Sequence, residues 1–284
     1  MITLHDITAL QKEITSLKAA GKRVGLVPTM GALHEGHLSL VRDAKSKTDY
    51  VVVSIFVNPT QFGPNEDFAK YPRTLDDDLK ILKEIGTDLV FVPEIATMYP
   101  VGCDTIVVPG KIALPFEGEH RGGHFSGVAT IVLKLFNAVL PDVAFFGQKD
   151  YQQVCVVRKM VRDLLMPVEI AVCPTVREPD GLAMSSRNRY LSEDERKQAL
   201  VLSKSLAKAE EMILREKVLD LKIVRRELER IINTAKDLQI DYIGFADPTT
   251  LETLETYVQA TGVVVLLAVR IGTTRLIDNK VIKF

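Results

Sequence analysis

This sequence predicts an α/β fold: a doubly wound parallel sheet of the Rossmann-like kind, followed by a smaller α+β C-terminal domain. Three observations carry that expectation. Up to about residue 175, short apolar runs alternate with segments of helical periodicity. Several of those runs are rich in valine and isoleucine without polar alternation, as strands buried on both faces must be. After a turn-rich, charged stretch at 174–189, the pattern changes to long helices and then to strands spaced only by turns. The expected domains are therefore residues 1–175 and 176–284.

Ile7, Leu10, Ile14 and Leu17 fall at helical spacing and Gly21 follows them, which predicts a helix over 7–20. The first strand is expected over 23–27. It stops at Pro28-Thr29-Met30-Gly31-Ala32-Leu33-His34-Glu35-Gly36-His37, a glycine-containing turn that opens a helix over 35–47. Such a junction gathers unpaired backbone N–H groups at the positive end of a helix dipole and so forms an anion site. His34 and His37 stand three apart on its first turn, so they share a face and reach the same phosphate.

A second strand is expected over 50–57. Asn58-Pro59-Thr60-Gln61-Phe62 cannot extend it, so the chain leaves the sheet at the carboxyl edge, where open α/β sheets bind ligands. Thr74 caps a helix with Asp76, Asp77 and Asp78 in its first turn, Gly86 ends it, and a strand follows over 88–92. Residues 93–123 read as irregular, with a short β run over 105–108. Glu117, Arg121 and His124 belong to a charged loop that can pair with itself. A helix over 126–139 feeds a strand over 143–146, after which Gly147-Gln148-Lys149-Asp150 repeats the strand–glycine–helix junction. The last strand of this half covers 168–173. Beyond the 174–189 loop, Ser192 and Glu195 form a capping box that opens a helix to about residue 215. A second helix over 220–236 and strands over 240–245 and 262–271 complete the chain.

Composition narrows the function. Of the 284 residues 46% are hydrophobic and 26% charged, an ordinary globular balance. A net charge of −1 supplies no global field for nucleic acid or an anionic membrane, so phosphate binding must be local. Met1-Ile2-Thr3-Leu4-His5-Asp6 lacks the basic start and apolar core of a signal peptide, and no apolar run is long enough to span a bilayer, so a cytoplasmic enzyme is expected. Cys103, Cys155 and Cys173 are too scattered for a disulfide framework or zinc site and read as buried small hydrophobes.

The chemistry gathers at the strand ends. Gln61 and Gln153 each follow a strand closely, and their amides both donate and accept, which suits a small substrate carrying a hydroxyl and a carboxylate. Lys149 gains nothing structurally from the start of a helix, whose dipole it opposes; it reads as a phosphate ligand, with Asp150 beside it for a ribose hydroxyl. Met184-Ser185-Ser186-Arg187 offers hydroxyls and a guanidinium as a clamp for polyphosphate. Asp77 and Asp78 are candidate magnesium ligands, although the helix dipole stabilises aspartates there in any case.

Taken together, five blocks resemble the signatures of the pantothenate synthetase (pantoate–β-alanine ligase) family: Val27-Pro28-Thr29-Met30-Gly31-Ala32-Leu33-His34-Glu35-Gly36-His37, Asn58-Pro59-Thr60-Gln61-Phe62, Arg121-Gly122-Gly123-His124-Phe125, Phe146-Gly147-Gln148-Lys149-Asp150-Tyr151-Gln152-Gln153 and Met184-Ser185-Ser186-Arg187-Asn188. The resemblance implies an ATP-dependent ligation in two steps, through pantoyl adenylate and pyrophosphate, then β-alanine attack with release of AMP. It also implies that Met30, Gly31, Ala32, Leu33, His34, Glu35, Gly36, His37, Gly147, Gln148, Lys149, Asp150, Val176, Met184, Ser185, Ser186 and Arg187 contact ATP. His37 would be the proton donor, with His34, Lys149, Ser185, Ser186 and Arg187 stabilising charge. Gln61 and Gln153 carry over as pantoate ligands, Gln61 also facing β-alanine, with Asn58 assisting. Mg2+ would enter with the nucleotide, and a homodimer is implied. Gln148 stands where the family commonly has glutamate. The rival enzyme reading is a nucleotidylyltransferase acting on a phosphorylated substrate, which needs a further basic pocket. An RNA-binding module would need a basic, aromatic-interleaved stripe that the sequence lacks.

Overall fold

Six parallel strands form the larger sheet in a computed structural model that describes residues 1–64, 66–256 and 261–283. They are β1 (Ile2–Leu4), β2 (Val24–Thr29), β3 (Tyr50–Ile55), β4 (Leu89–Phe91), β5 (Val143–Gly147) and β6 (Glu169–Cys173), in the spatial order β1-β4-β3-β2-β5-β6. Its helices are α1 (Ile7–Ala19), α2 (Glu35–Lys47), α3 (Leu75–Glu84), α4 (Ile95–Met98), α5 (Glu117–His120), α6 (His124–Val139) and α7 (Tyr151–Asp163). The second half contributes α8 (Glu193–Ala199), α9 (Val201–Leu214) and α10 (Leu221–Ile232), then an antiparallel sheet of β7 (Leu238–Ala246), β8 (Val263–Ile271) and β9 (Thr274–Ile282).

The strand order reverses at β2, whose neighbours are β3 on one side and β5 on the other. Such a switch point leaves a crevice at the carboxyl ends of the strands. Here the crevice is widened by early divergence, because β2 pairs with β5 only at Gly25 and Leu26 while it follows β3 to Thr29. Pro28 therefore sits within β2, which runs two residues beyond the expected end at residue 27. It has no N–H to leave unpaired where β5 has already parted.

Leu10 and Ile14 of α1 pack with the apolar face of α6 and with α7 residues such as Val154 and Val157 in one core. On the other face, Leu40, Val41 and Ala44 of α2 and Leu82 of α3 cover Val27, Val53, Val90 and Phe145. A third core joins α9 and α10 to the inner face of β7–β9. The small sheet is not detached: Ala246, Leu251, Val264 and Leu266 belong to the core of the first half.

Several expectations need correction. Residues 105–108 form no strand; Val107 N–H donates to Thr130 Oγ1 at 2.9 Å, while Ile106 and Val108 face outward and are exposed. The charged loop at 117–124 winds instead into α5 and the first residue of α6. The capping box of Ser192 and Glu195 is present, but the helix it opens is interrupted at Leu200, giving α8 and α9. β1 and β9 were not expected. Cys155 and Cys173 are buried, whereas Cys103 is exposed.

Candidate active site

A cavity occupies the crevice, and its wall brings together residues from widely separated parts of the chain. Met30, His34, Gly36 and His37 line it from the β2–α2 junction, Asn58 and Gln61 from beyond β3, Gly147, Lys149, Asp150 and Gln153 from the β5–α7 junction, and Val176 with Met184, Ser185, Ser186 and Arg187 from the loop after β6. Gly31, Ala32, Leu33, Glu35 and Gln148 do not face it. Glu35 pairs with Arg42 on the surface, and the other four shape the two turns.

The β2–α2 turn is held from behind. Gly31 has φ +78° and Ala32 has φ +50°, so two successive residues adopt the left-handed region. Asp78, buried in α3, receives Ala32 N–H at 2.9 Å and Leu33 N–H at 2.8 Å, with Thr74 Oγ1 at 3.3 Å. Both of its oxygens are thus engaged by the turn. Asp77 is exposed on α3, and neither aspartate lines the cavity. The expectation that this pair holds magnesium gives way to a structural task for Asp78.

The histidines cap the helix that they open. His34 Nδ1 accepts Gly36 N–H at 3.2 Å, and His37 Nδ1 accepts His34 N–H at 3.4 Å, a reciprocal capping box built from imidazoles. A backbone N–H can only donate, so each Nδ1 carries the lone pair and each neutral ring carries its proton on Nε2. A Cβ on residue 36 would come within 2.9 Å of the His34 ring, so Gly36 is needed for the first of these bonds. The rings lie 4.1 Å apart. Burial, with the nearby Lys149 and Arg189 charges, lowers His34 to about 4; burial, His34 and Lys149 lower His37 to about 3. Both are neutral Nε2–H donors at pH 7.

At the β5–α7 junction the chain is steadied by β9. Asn279 donates to the backbone carbonyls of Gln148 and Lys149 at 2.9 and 2.8 Å, which holds Lys149 against the cavity with Asp150 3.9 Å away. Gln153 lines the cavity, whereas its neighbour Gln152 is buried and tied to Glu117, Ile112 and Pro115. Adjacent glutamines therefore divide into one that faces the cavity and one that holds the loop.

Gln61 is held by its side chain. Asn58 Nδ2 donates to Gln61 Oε1 at 3.1 Å, and Gln61 Nε2 lies 3.1 Å from the sulfur of Met30. Asn58 also donates to Gly127 O and accepts from Thr60 and Tyr99 hydroxyls, so its amide is saturated by protein. It positions Gln61 rather than assisting at the substrate. Val128, Ile131, Val132 and Leu135 of α6 give this end an apolar floor.

The loop after β6 is clasped. Arg187 sends Nε and Nη2 to the two oxygens of Asp67 at 3.0 and 2.9 Å, its guanidinium lies over Tyr71, and Ser186 Oγ meets the buried Tyr71 hydroxyl at 3.2 Å. Tyr71 and Asp67 carried no signal in the sequence; their role comes from contacts more than a hundred residues away. The charged cluster also reaches the cavity, since Arg121 and His124 line it. Arg121 forks onto Glu66 at 2.7 Å on both oxygens, and its Nη1 donates to His124 Nε2 at 3.0 Å. His124 Nδ1–H in turn donates to the Gln61 carbonyl at 2.8 Å. Burial and the Arg121 charge lower His124 to about 4, in keeping with that neutral tautomer.

No group of three or more metal-ligating side chains occurs among the described residues, and Asp150 is the one carboxylate among the cavity-lining residues. A magnesium ion that relies mainly on phosphate oxygens and water fits this wall; a protein-held one does not.

The chain matches the family model described as pantoate-beta-alanine ligase over residues 2–281. It is 52% identical over 284 residues to a pantothenate synthetase of Acetivibrio thermocellus, covering 100% of both chains. It is also 52% identical to one of a Thermoanaerobacter species over 98% of each. Among solved structures, a pantothenate synthetase of Thermus thermophilus superposes with a TM-score of 0.93 at 44% identity over 100% of both chains. A pantoate-β-alanine ligase of Francisella tularensis, complexed with β-γ ATP and β-alanine, gives 0.82 at 38% identity over 99% of this chain and 97% of that one.

Proposed function

The chain belongs to the pantoate–β-alanine ligase family and is an ATP-dependent ligase of pantoate and β-alanine; from that premise we propose which residues do the work. One observation carries the assignment: the imidazole-capped turn, Lys149, the Ser185–Arg187 clamp and the glutamines Gln61 and Gln153 all line a single cavity.

In the first step a pantoate carboxylate oxygen attacks the α-phosphorus of ATP, and the bond to the bridging oxygen of the β-phosphate breaks. Charge develops on the phosphoryl oxygens and on departing pyrophosphate. The Nε2–H groups of His34 and His37 donate to those oxygens, with Lys149, Arg187, Ser185 and Ser186 taking the pyrophosphate. Pyrophosphate leaves as an anion and needs no proton, so His37 works as a neutral hydrogen-bond donor. Met30, Gly36, Gly147, Asp150, Val176 and Met184 complete the nucleotide site by backbone or contact, while Gly31, Ala32, Leu33 and Gln148 shape the two turns that carry it. Asp150, the carboxylate on the cavity wall, would be the side chain at hand for a Mg2+ ion entering with the nucleotide, which would supply further charge stabilisation.

Gln61 and Gln153 bind the hydroxyl and carboxylate of pantoate, whose dimethyl carbon rests on the apolar floor of α6. In the second step the free amine of β-alanine attacks the acyl carbon, the acyl–oxygen bond to AMP breaks, and the ammonium proton passes to solvent. The adenylate is already activated, so placement and exclusion of water supply the acceleration. We take residues 1–175 as the domain that binds ATP and pantoate and 176–284 as its cover. No helix among the described residues is long and apolar enough to cross a membrane; that the enzyme works in the cytoplasm is proposed from its biosynthetic family. The exposed Val101, Ile106 and Val108 support a homodimer.

Pantoate-dependent exchange of radiolabelled pyrophosphate into ATP tests the first step. Exchange that required a phosphorylated substrate instead would favour the nucleotidylyltransferase reading.

A further inference from the structure

β-Alanine brings a carboxylate into a half-closed cavity, and an anion taken from water needs a cation to receive it. Among the described residues lining the cavity the arginines and lysine are Lys149, Arg187 and Arg121. Lys149 acts on the His34 and His37 rings, and Arg187 belongs to the clamp that carries Ser185 and Ser186. Arg121 stands apart from them, linked through His124 to Gln61.

Arg121 is already making the contact that a carboxylate ligand would make. Its Nε and Nη2 edge meets both oxygens of Glu66 at 2.7 Å, the planar fork that guanidinium offers to a carboxylate. The next residue repeats the arrangement, Asp67 taking the same edge of Arg187 at 3.0 and 2.9 Å. Two consecutive acids of one loop thus occupy the forks of two cavity arginines, and one of those arginines belongs to the polyphosphate clamp. Glu117 is a second carboxylate beside Arg121, but a more distant one. It lies 3.8 Å away, and its oxygens are engaged by Arg275 at 2.7 and 2.6 Å and by the Tyr242 hydroxyl at 2.9 Å.

We propose that Arg121 is the residue that takes the β-alanine carboxylate, and that Glu66 occupies this subsite as a stand-in which yields when the amino acid binds. The inference rests on the ligase reading and names the anchor of its second substrate. It implies that the two-carbon tether matters: the carboxylate is held to one side, at Arg121, and the amine remains free to reach the acyl carbon near Gln61. The same anchor makes an amine without a carboxylate a poor nucleophile.

The test compares β-alanine with β-alaninamide as acceptor in the wild type, R121L, R121K and E66Q, each ligation rate being divided by that variant's own pyrophosphate-exchange rate. R121L is expected to raise KM for β-alanine roughly 10²-fold, as for loss of a charge-assisted fork, and to abolish the preference over the amide. R121K, which keeps charge but loses the fork, should fall between. E66Q removes the competitor and is expected to lower KM for β-alanine several-fold. If R121L fails to fold, the opposite directions of R121K and E66Q decide the matter. The proposal is overturned if E66Q raises KM for β-alanine, or if the arginine variants keep the full preference for β-alanine over its amide. A wild type without pantoate-dependent exchange would instead overturn the ligase reading.

Discussion

The two ends of the cavity, one proposed for the nucleotide and the other for the acceptor, are built in different ways. At the nucleotide end, one short segment supplies turn, helix start and both histidines, and the ligand-facing atoms follow from backbone geometry: capping consumes each Nδ1 and leaves each Nε2–H. At the acceptor end, Gln61 is held by Asn58, Met30 and the His124–Arg121–Glu66 chain, which come from four separate parts of the sequence. The first kind of site tolerates little change within a few residues; the second depends on partners far along the chain. Damage should therefore separate: variants at the turn should impair adenylation, and variants in the side-chain network should impair substrate affinity.

The largest effect is expected from His37→Ala, a loss of about 10²–10⁴ in the rate of pyrophosphate exchange with the fold intact, as for removal of a donor at developing charge. An unchanged exchange rate would remove His37 from the chemistry. Next, Asp78→Ala leaves two buried N–H donors of the turn without an acceptor, at about 1–3 kcal/mol for each such group. A clear fall in Tm and a raised KM for ATP should appear together; loss of stability with an unaltered KM for ATP would uncouple the turn from the nucleotide. Gln61→Ala and Asn58→Ala should each raise KM for pantoate, about tenfold for Asn58→Ala, while KM for ATP stays near wild type. If Asn58→Ala left pantoate affinity intact, its positioning role would fail.

The smallest effect is the pH dependence of stability. His34, His37 and His124 are buried as neutral rings with values lowered to about 4, 3 and 4. In the unfolded chain they would protonate near 6.5, so between about pH 6.5 and 3 the unfolded state binds more protons. Their contribution is complete above pH 6.5 and is lost as pH falls toward the folded values. Replacing His124 with asparagine should flatten that acid limb in a denaturation series; an unchanged slope would mean that the His124 ring does not remain neutral in the fold.

The same contrast explains what could be read from the sequence. The helix Glu35–Lys47 is legible in the sequence, since its glycine turn, cap and periodicity are local. The capping box at Ser192 and Glu195 was legible for the same reason. β9 escaped because Thr274–Ile282 mixes apolar residues with Arg275, Asp278, Asn279 and Lys280, two of which, Asp278 and Asn279, are buried against partners over a hundred residues away. The run at 105–108 has strand propensity, but propensity without a partner strand forms no ladder. Asp78 shows the same limit at the site. Its neighbours Asp76 and Asp77 look identical in sequence, and only helix phase turns one of the three toward the β2–α2 turn.

Oxygen transfer tests most directly that this cavity makes pantoyl adenylate. With ATP, β-alanine and pantoate carrying 18O in its carboxylate, attack on the α-phosphorus is expected to leave one labelled oxygen in each AMP and none in pyrophosphate. Label appearing in a phosphate released from the γ-position, with ADP as the nucleotide product, would contradict it.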